Sequence, residues 1–228
     1  MNALDQLLIF DMDGVLVDVT ESYRETIQRT VEHFTGTRIG REEIQDWKNE
    51  GGWNDDWALS NHLIRRAGVE VEYQAVVDYF NSIFHGNGSD GLILRERWIA
   101  SEGLFERLAA RYQLAVFTGR LRWEAELTLA RCAPQLRFAP IIGTDNVERP
   151  KPAPEGLLKI CNECRPKGRW YIGDTVDDAR CAQEAGVPFI GIAAPANPRY
   201  DDLVRVLKQH DAIAVLDDIN QLETVLNA

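Results

Sequence analysis

At 228 residues the chain is long enough for one large domain, or for one domain with a small insert. Hydrophobic residues at 45% and charged residues at 27% are ordinary for a soluble globular protein. A formal net charge of −11 argues against a general nucleic-acid surface or a surface for anionic membranes, but not against a phosphorylated substrate, because a metal and one or two cations reverse the potential locally.

The N-terminus, Met1 to Gln6, has no basic region and runs directly into an apolar segment, so no signal peptide is expected. No apolar run approaches the roughly 20 residues that span a bilayer, so the expected location is cytoplasmic, with no membrane partner. Leu7, Leu8, Ile9 and Phe10 read as a buried strand. The strand delivers Asp11 and Asp13 at its C-terminal end, with Met12 between them and Gly14 after. Side chains on extended backbone alternate faces, so the two acids share a site only if the chain turns, and Gly14 permits that turn. Clustered acids at the end of a parallel strand suit a hard divalent cation such as Mg2+. A carboxylate beside such an ion can attack phosphorus. The alternative is a strand followed by an acidic, solvated turn.

Residues 17–93 contain no convincing buried-strand run. They read as helices over Glu21 to Phe34, Arg41 to Lys48, Trp57 to Ala67 and Tyr73 to Phe84. Ile27, Val31 and Phe34 recur at a helical period, as do Val76, Val77, Phe80 and Phe84. Glycine-containing breaks at 35–37, 51–52 and 85–88 separate the helices. The stretch Lys48 to Trp57 is the most unusual, with two glycines followed by aromatics and short polar groups.

From about residue 94 strands and helices alternate. The strands fall near 114–117, 139–142, 169–172, 189–192 and 212–216. The helices fall near 102–111, 122–132, 154–164, 176–185, 199–209 and 218–226. Such alternation implies a doubly wound parallel sheet with helices on both faces. The chain therefore reads as an α/β core, residues 1–16 plus 94–228, with a small α-helical cap domain, 17–93, inserted after the first strand. An insert joined at that end lies over the site as a lid.

Cys132, Cys161, Cys164 and Cys181 are the only cysteines. Cys161 and Cys164 form a C-x-x-C with no second Cys/His pair, so reduced thiols in or near a core are expected rather than zinc. His33, His62, His85 and His210 are scattered and receive no catalytic role.

Three further features lie at strand ends or in a proline-stiffened loop. The strand 114–117 ends in Thr118-Gly119-Arg120; Lys151 stands between Pro150 and Pro152; the strand 169–172 ends in Gly173-Asp174-Thr175-Val176-Asp177-Asp178. With Asp11-Met12-Asp13-Gly14, these four motifs in this order resemble the haloacid dehalogenase-like (HAD) hydrolase superfamily, in particular its phosphatases with a helical cap. The resemblance covers the length of the chain. It implies a Rossmann-like core and a Mg2+-dependent phosphatase of a small phosphorylated metabolite.

On that resemblance Asp11 is the nucleophile that forms an aspartyl-phosphate. Asp13 protonates the leaving oxygen and then activates water, and its backbone carbonyl is a metal ligand. The carbon–halogen cleaving members that it resembles lack an acid at this position, so dehalogenation is disfavoured. Thr118 donates a hydrogen bond to a phosphoryl oxygen, with the Gly119 amide nearby; alone, it reads as a turn former. Lys151 balances the charge of Asp11 and the phosphoryl group. Asp174 is expected to bind the metal directly, and Asp178 to complete the site by orienting a metal-bound water or Lys151. Asp177 is expected to be a solvated charge at a helix N-terminus. In the cap, Trp53, Asn54 and Asp55 are candidates to line the leaving-group pocket, and Lys48 or Arg120 to meet an anionic part of the substrate. The competing reading makes Trp47 and Trp57 core anchors and the acids an N-cap. Rivals are a phosphosugar mutase with the same chemistry, and a regulatory protein that keeps the fold without turnover. A monomer or a homodimer is compatible with the sequence. Phosphoglycolate-like acids, sugar phosphates and amino-alcohol phosphates all remain open as substrates.

Overall fold

The strand of four apolar residues sits where burial is greatest. In the computed structural model, which describes residues 5–226, Leu7, Leu8, Ile9 and Phe10 are fully buried. Residues 1–4, part of the expected leaderless N-terminus, and residues 227–228, the last of the expected core segment, lie outside the described residues. The elements begin with β1 (Gln6–Phe10) and β2 (Val17–Asp18), followed by α1 (Tyr23–Thr35), α2 (Arg41–Glu50), α3 (Asp56–Arg66) and α4 (Tyr73–His85). Then come β3 (Arg97–Trp98), α5 (Leu104–Ala109), β4 (Gln113–Phe117), α6 (Arg122–Cys132), β5 (Ile141–Ile142) and α7 (Glu155–Cys164). The chain continues through β6 (Gly168–Gly173), α8 (Val176–Ala185), β7 (Phe189–Ile192), α9 (Tyr200–Gln209), β8 (Ala214–Leu216) and α10 (Leu222–Leu226).

Six strands form one sheet in the order β5-β4-β1-β6-β7-β8, and every pairing in it is parallel. β1 lies between β4 and β6, with Ile9 opposite Ala115 on one side and Tyr171 on the other. From β1 the chain steps outward through β4 to β5, then returns to β6 on the other side of β1 and steps outward through β7 to β8, so a crevice opens beyond the C-terminal end of β1. The period-2 alternation of β1 divides the core. Leu8 and Phe10 join Leu104, Phe105, Leu108 and Leu129 on one face. Leu7 and Ile9 join Leu157, Ile160, Ala179 and Leu203 on the other. This is the doubly wound α/β arrangement that the alternation of elements predicts.

α1 packs against α3 and α4. Ile27, Val31, Leu59, Leu63, Val76 and Phe80 are buried there, continuous with the first core cluster. Phe34 is only partly buried. The expected helix 102–111 is shorter at both ends, starting only after Gly103, whose φ of 81° is left-handed. The expected strand 139–142 contracts to Ile141–Ile142, since Pro140 has no N–H for a ladder. The expected helix 218–226 opens as a 3-10 turn over Ile219–Gln221. A small antiparallel pair, Val17 with Trp98 and Asp18 with Arg97, is absent from the sequence reading; two residues per strand carry no periodicity. It joins the two ends of the helical segment. All four cysteines are free, and Cys161 and Cys164 pack against the second core cluster.

No helix among the described residues is long and apolar enough to cross a membrane. Close packing makes one glycine diagnostic. A Cβ on Gly156 of α7 would overlap the Phe117 ring at the end of β4. Gly156→Ala should therefore cost about 1–3 kcal/mol through overpacking. The check is a thermal or urea melt, and an unchanged melting curve would contradict this packing.

Candidate active site

The site starts from the end of β1. The Asp11 amide donates to the Ile172 carbonyl at 2.8 Å, so the residue is still held by the sheet. The chain then turns: the Leu16 and Val17 amides both donate to the Met12 carbonyl. Gly14 has φ of 72°, and a Cβ there would strike the Asp174 carboxylate. Glycine thus serves both the left-handed turn and the close approach of Asp174.

Lys151 joins the acids. Its Nζ lies 2.8 Å from Asp11 Oδ1 and 2.7 Å from Asp178 Oδ1, with its side chain 1% exposed. The Phe117 and Tyr171 rings lie 5.0 and 5.4 Å from the ammonium, which favours the cation further. Asp178 also accepts from the Tyr171 hydroxyl at 2.6 Å, and from the Thr175 hydroxyl and amide at 2.6 and 3.1 Å. These contacts occupy about four acceptor positions, the capacity of a carboxylate. Asp178 is therefore committed to holding Lys151. Asp174 differs: its Oδ1 is buried without any hydrogen-bond partner. One oxygen each from Asp11, Asp174 and Asp178 lies within 4.8 Å of the others.

Burial pushes the Asp11 carboxyl up to about 7, with Asp178 and Asp13 adding to the rise and Lys151 pulling the other way. Burial and the charges of Asp11 and Asp178 hold Asp174 well above the usual carboxylate range. Burial works against the Asp178 carboxylate too, but Lys151 and the Thr175 and Tyr171 hydroxyls bring it below the usual range. An all-oxygen donor set, mutual repulsion and an orphaned buried oxygen fit a hard divalent cation.

Asp13 is held from the other side. Arg120 donates to Asp13 Oδ1 from Nε at 2.7 Å and approaches it with Nη2 at 2.5 Å. The same guanidinium pairs with Glu96 at 2.8 and 3.0 Å, donates to Thr128 Oγ1, and lies over the Tyr23 ring. Its side chain is 1% exposed. Arg120 is therefore not a free substrate ligand, contrary to expectation; it positions Asp13. Thr118 is buried, and its Oγ1 accepts from the Arg120 amide at 3.2 Å. Gly119 lines the cavity, where a Cβ would strike the Asn54 side-chain amide.

The cavity, about 240 Å³, lies between these strand ends and the helical segment. Asn54 and Asp55 line it, and so does Trp57. Asp55 also caps α3, accepting from the Trp57 and Ala58 amides at 2.9 and 3.0 Å, so its two expected roles coexist. Trp53 does not line the cavity. Its ring packs on Trp47 at 5.6 Å and on His62 at 4.5 Å, as a scaffold residue. Lys48 lines the cavity but is paired with Asp56 at 2.5 Å, which uses its charge. Asp177 is not solvated. It is 3% exposed and accepts the Gly52 amide on both oxygens, at 2.8 and 3.0 Å. Gly51 and Gly52, with φ of 81° and 82°, shape the backbone that reaches it.

Several residues at the site escaped the sequence reading. Glu96 carries Arg120 yet stands in a stretch without a regular element. Glu124 accepts from the Tyr23 hydroxyl at 3.2 Å and contacts His85 Nε2 at 2.6 Å. Its visible signal was local: it stands three residues after Leu121, whose amide it accepts at 3.0 Å as a helix cap.

A sequence model of the haloacid dehalogenase-like hydrolase family matches residues 8–192, and the chain belongs to that family. The imidazoleglycerol-phosphate dehydratase of Phytophthora nicotianae is 32% identical over 199 residues, 83% of this chain but 44% of that protein, so the chain spans less than half of that relative. The phosphoglycolate phosphatase of Haemophilus influenzae (strain 86-028NP) is 24% identical over 233 residues, covering 99% of this chain and all (100%) of that one. A crystal structure described as a predicted phosphoglycolate phosphatase from Haemophilus somnus has a TM-score of 0.77 at 18% identity, covering 99% of each chain, and shares the fold.

The Arg120 network generates a stability prediction. Glu96→Ala leaves a buried guanidinium short of one carboxylate, a loss of about 3–5 kcal/mol. A fall in denaturation midpoint of that size checks it, and a midpoint equal to that of the unaltered protein would refute it.

Proposed function

We propose that the chain is a Mg2+-dependent phosphatase of a small phosphorylated metabolite, acting through an aspartyl-phosphate on Asp11. The observation that carries this reading is the Asp11–Lys151 pair at 2.8 Å beside the Asp174 oxygen that lacks a partner. A carboxylate is kept close to a fixed cation, in a crevice nearly closed to water, with room for one more positive charge.

Asp11, Asp174 and the main-chain carbonyl of Asp13 would hold Mg2+, with Asp178 acting on the site through Lys151. Bound there, the ion supplies positive charge that lets a dianionic ester approach several carboxylates. Lys151, the Gly119 amide and the Thr118 hydroxyl take the phosphoryl oxygens. Asp11 attacks phosphorus in line, and the bond from phosphorus to the leaving alcohol oxygen breaks. Asp13, aimed by Arg120, gives that oxygen a proton. Asp13 then takes a proton from water, whose oxygen attacks the phosphorus of the aspartyl-phosphate. Phosphate leaves and the Asp11 carboxylate is restored. The helical segment forms a cap that closes the cavity, with Asn54, Asp55 and Trp57 meeting the leaving group. A cavity of about 240 Å³ suits a small ester. The phosphoglycolate phosphatase name of one relative is compatible with it.

Asp11→Asn should fold normally and lose turnover by more than about 10³-fold, since the amide keeps the shape but is a far poorer nucleophile. Phosphate release measured on the purified variant checks this, and retained activity would remove Asp11 from the mechanism. Excess chelator should abolish activity, Mg2+ should restore it, and Ca2+ should substitute poorly because it prefers longer bonds and more ligands. Full turnover in chelator would refute the metal requirement. A hexose 1-phosphate should yield free phosphate; appearance of its isomer instead would indicate a mutase.

A further inference from the structure

Four cationic side chains line the cavity: Arg24, Lys48, Arg120 and Lys151. Three are already matched by carboxylates. Lys48 pairs with Asp56, Arg120 with Asp13 and Glu96, and Lys151 with Asp11 and Asp178. The Arg24 side chain makes no hydrogen bond or ion pair among the described residues. It is also only partly exposed, and it stands in the first turn of α1. A cation there meets the positive end of the helix dipole, which disfavours it. The N-terminal turn of α1 faces the site, since the neighbouring Tyr23 lies under Arg120 and also lines the cavity.

We propose that Arg24 is a substrate ligand, whose guanidinium takes non-bridging oxygens of the phosphoryl group seated at Asp11. This rests on the phosphatase reading. Two observations place it at the phosphoryl end rather than the leaving-group end. Its positive field reaches Asp174, where it opposes the rise that burial, Asp11 and Asp178 impose on that carboxyl. Elsewhere in the lining, Asp55 and the Lys48–Asp56 pair offer no free positive charge. A guanidinium matches two phosphoryl oxygens at once through parallel N–H donors, which an ammonium cannot do. Because Arg24 belongs to the helical segment and Lys151 to the α/β core, a phosphate held by both ties the two together. Binding of the phosphoryl group would then favour seating of the cap, whatever the leaving alcohol.

The test is binding of inorganic phosphate, followed by calorimetry on the full chain with Mg2+ present, for the unaltered protein, Arg24→Gln and Arg24→Lys. Arg24→Gln should weaken phosphate binding on the order of 10-fold, the loss of a charge-assisted contact. Arg24→Lys should recover part of the loss. With p-nitrophenyl phosphate, KM should rise more than kcat falls. Phosphate affinity unchanged in folded Arg24→Gln overturns the proposal. So does a loss confined to esters whose leaving group carries a carboxylate, which would assign Arg24 to that end of the pocket. The melting temperature of each variant separates a ligand from a packing residue: equal affinity losses in Gln and Lys together with marked destabilisation also overturn it. An unaltered protein that binds phosphate through Arg24 but hydrolyses no ester would remove the phosphatase reading alone. Turnover in that protein, undiminished in Arg24→Gln, would remove the Arg24 assignment alone.

Discussion

The site depends on one buried ammonium. Lys151 stands between Asp11 and Asp178, within 2.8 Å of each, and nothing else in the immediate pocket offsets their charges so directly. Burial alone would drive these carboxyls neutral. The consequence is a division of labour between acids that look alike in sequence. Asp178 has its acceptor positions filled by Lys151, Tyr171 and Thr175, and is fixed as a charged anchor. Asp174 has an oxygen with no partner and stays electrostatically strained. Asp11 lies between these conditions, held by a cation on one oxygen. That gradient separates a structural acid, a proposed metal ligand and a proposed nucleophile.

A second buried cation organises the neighbouring acid. Arg120 is clamped by Glu96 and lies over Tyr23, and it hands its remaining donors to Asp13. Asp13 remains 30% exposed on its side chain, whereas Glu96 is fully buried. The proton-transfer role proposed for Asp13 needs that access, and it needs a fixed direction. Arg120 supplies the direction from outside the path. The same cluster gathers Ser22 and Thr128 around Glu96, so residues before α1 and in α6 share one polar core. Such networks act as a unit, and the whole is affected when one member is lost.

Beside the cavity, polar contacts add to the apolar cluster that runs continuously from the helical segment into the α/β core. Asp177 grips the Gly52 amide, and His85 meets Glu124. Arg199 reaches Asp46 at 2.6 Å on the outside, where solvent makes such a pair worth little. Polar contacts at the rim of the cavity suit the proposed role of this segment as a cap. The short β2–β3 pair closes the base of the insert and keeps its ends together, whatever the helices do.

Much of this was legible in order along the chain. The buried run of β1, the alternation after residue 94 and the helical period within 17–93 express local burial, and local burial is written in hydropathy. Asp11, Asp13, Lys151 and Asp174 stand out as candidates because their motifs, in this order, resemble the haloacid dehalogenase-like family; alone, Lys151 reads as an exposed lysine in a Pro-rich loop. The partners of charges were not. Arg120 reads as a free arginine until Glu96, 24 residues earlier, is brought against it; Asp177 reads as a solvated helix charge until Gly52, 125 residues away, donates to it. Trp53 and Lys48 likewise took their roles from His62 and Asp56 across a turn. The sequence by itself determined the α/β fold, because that follows from periodicity and chain direction, and its four motifs marked the candidate acids through their resemblance to a known family. Only the tertiary structure decided which charges are free, because a charge is free or spent according to what packs against it, and that is a long-range property of the fold.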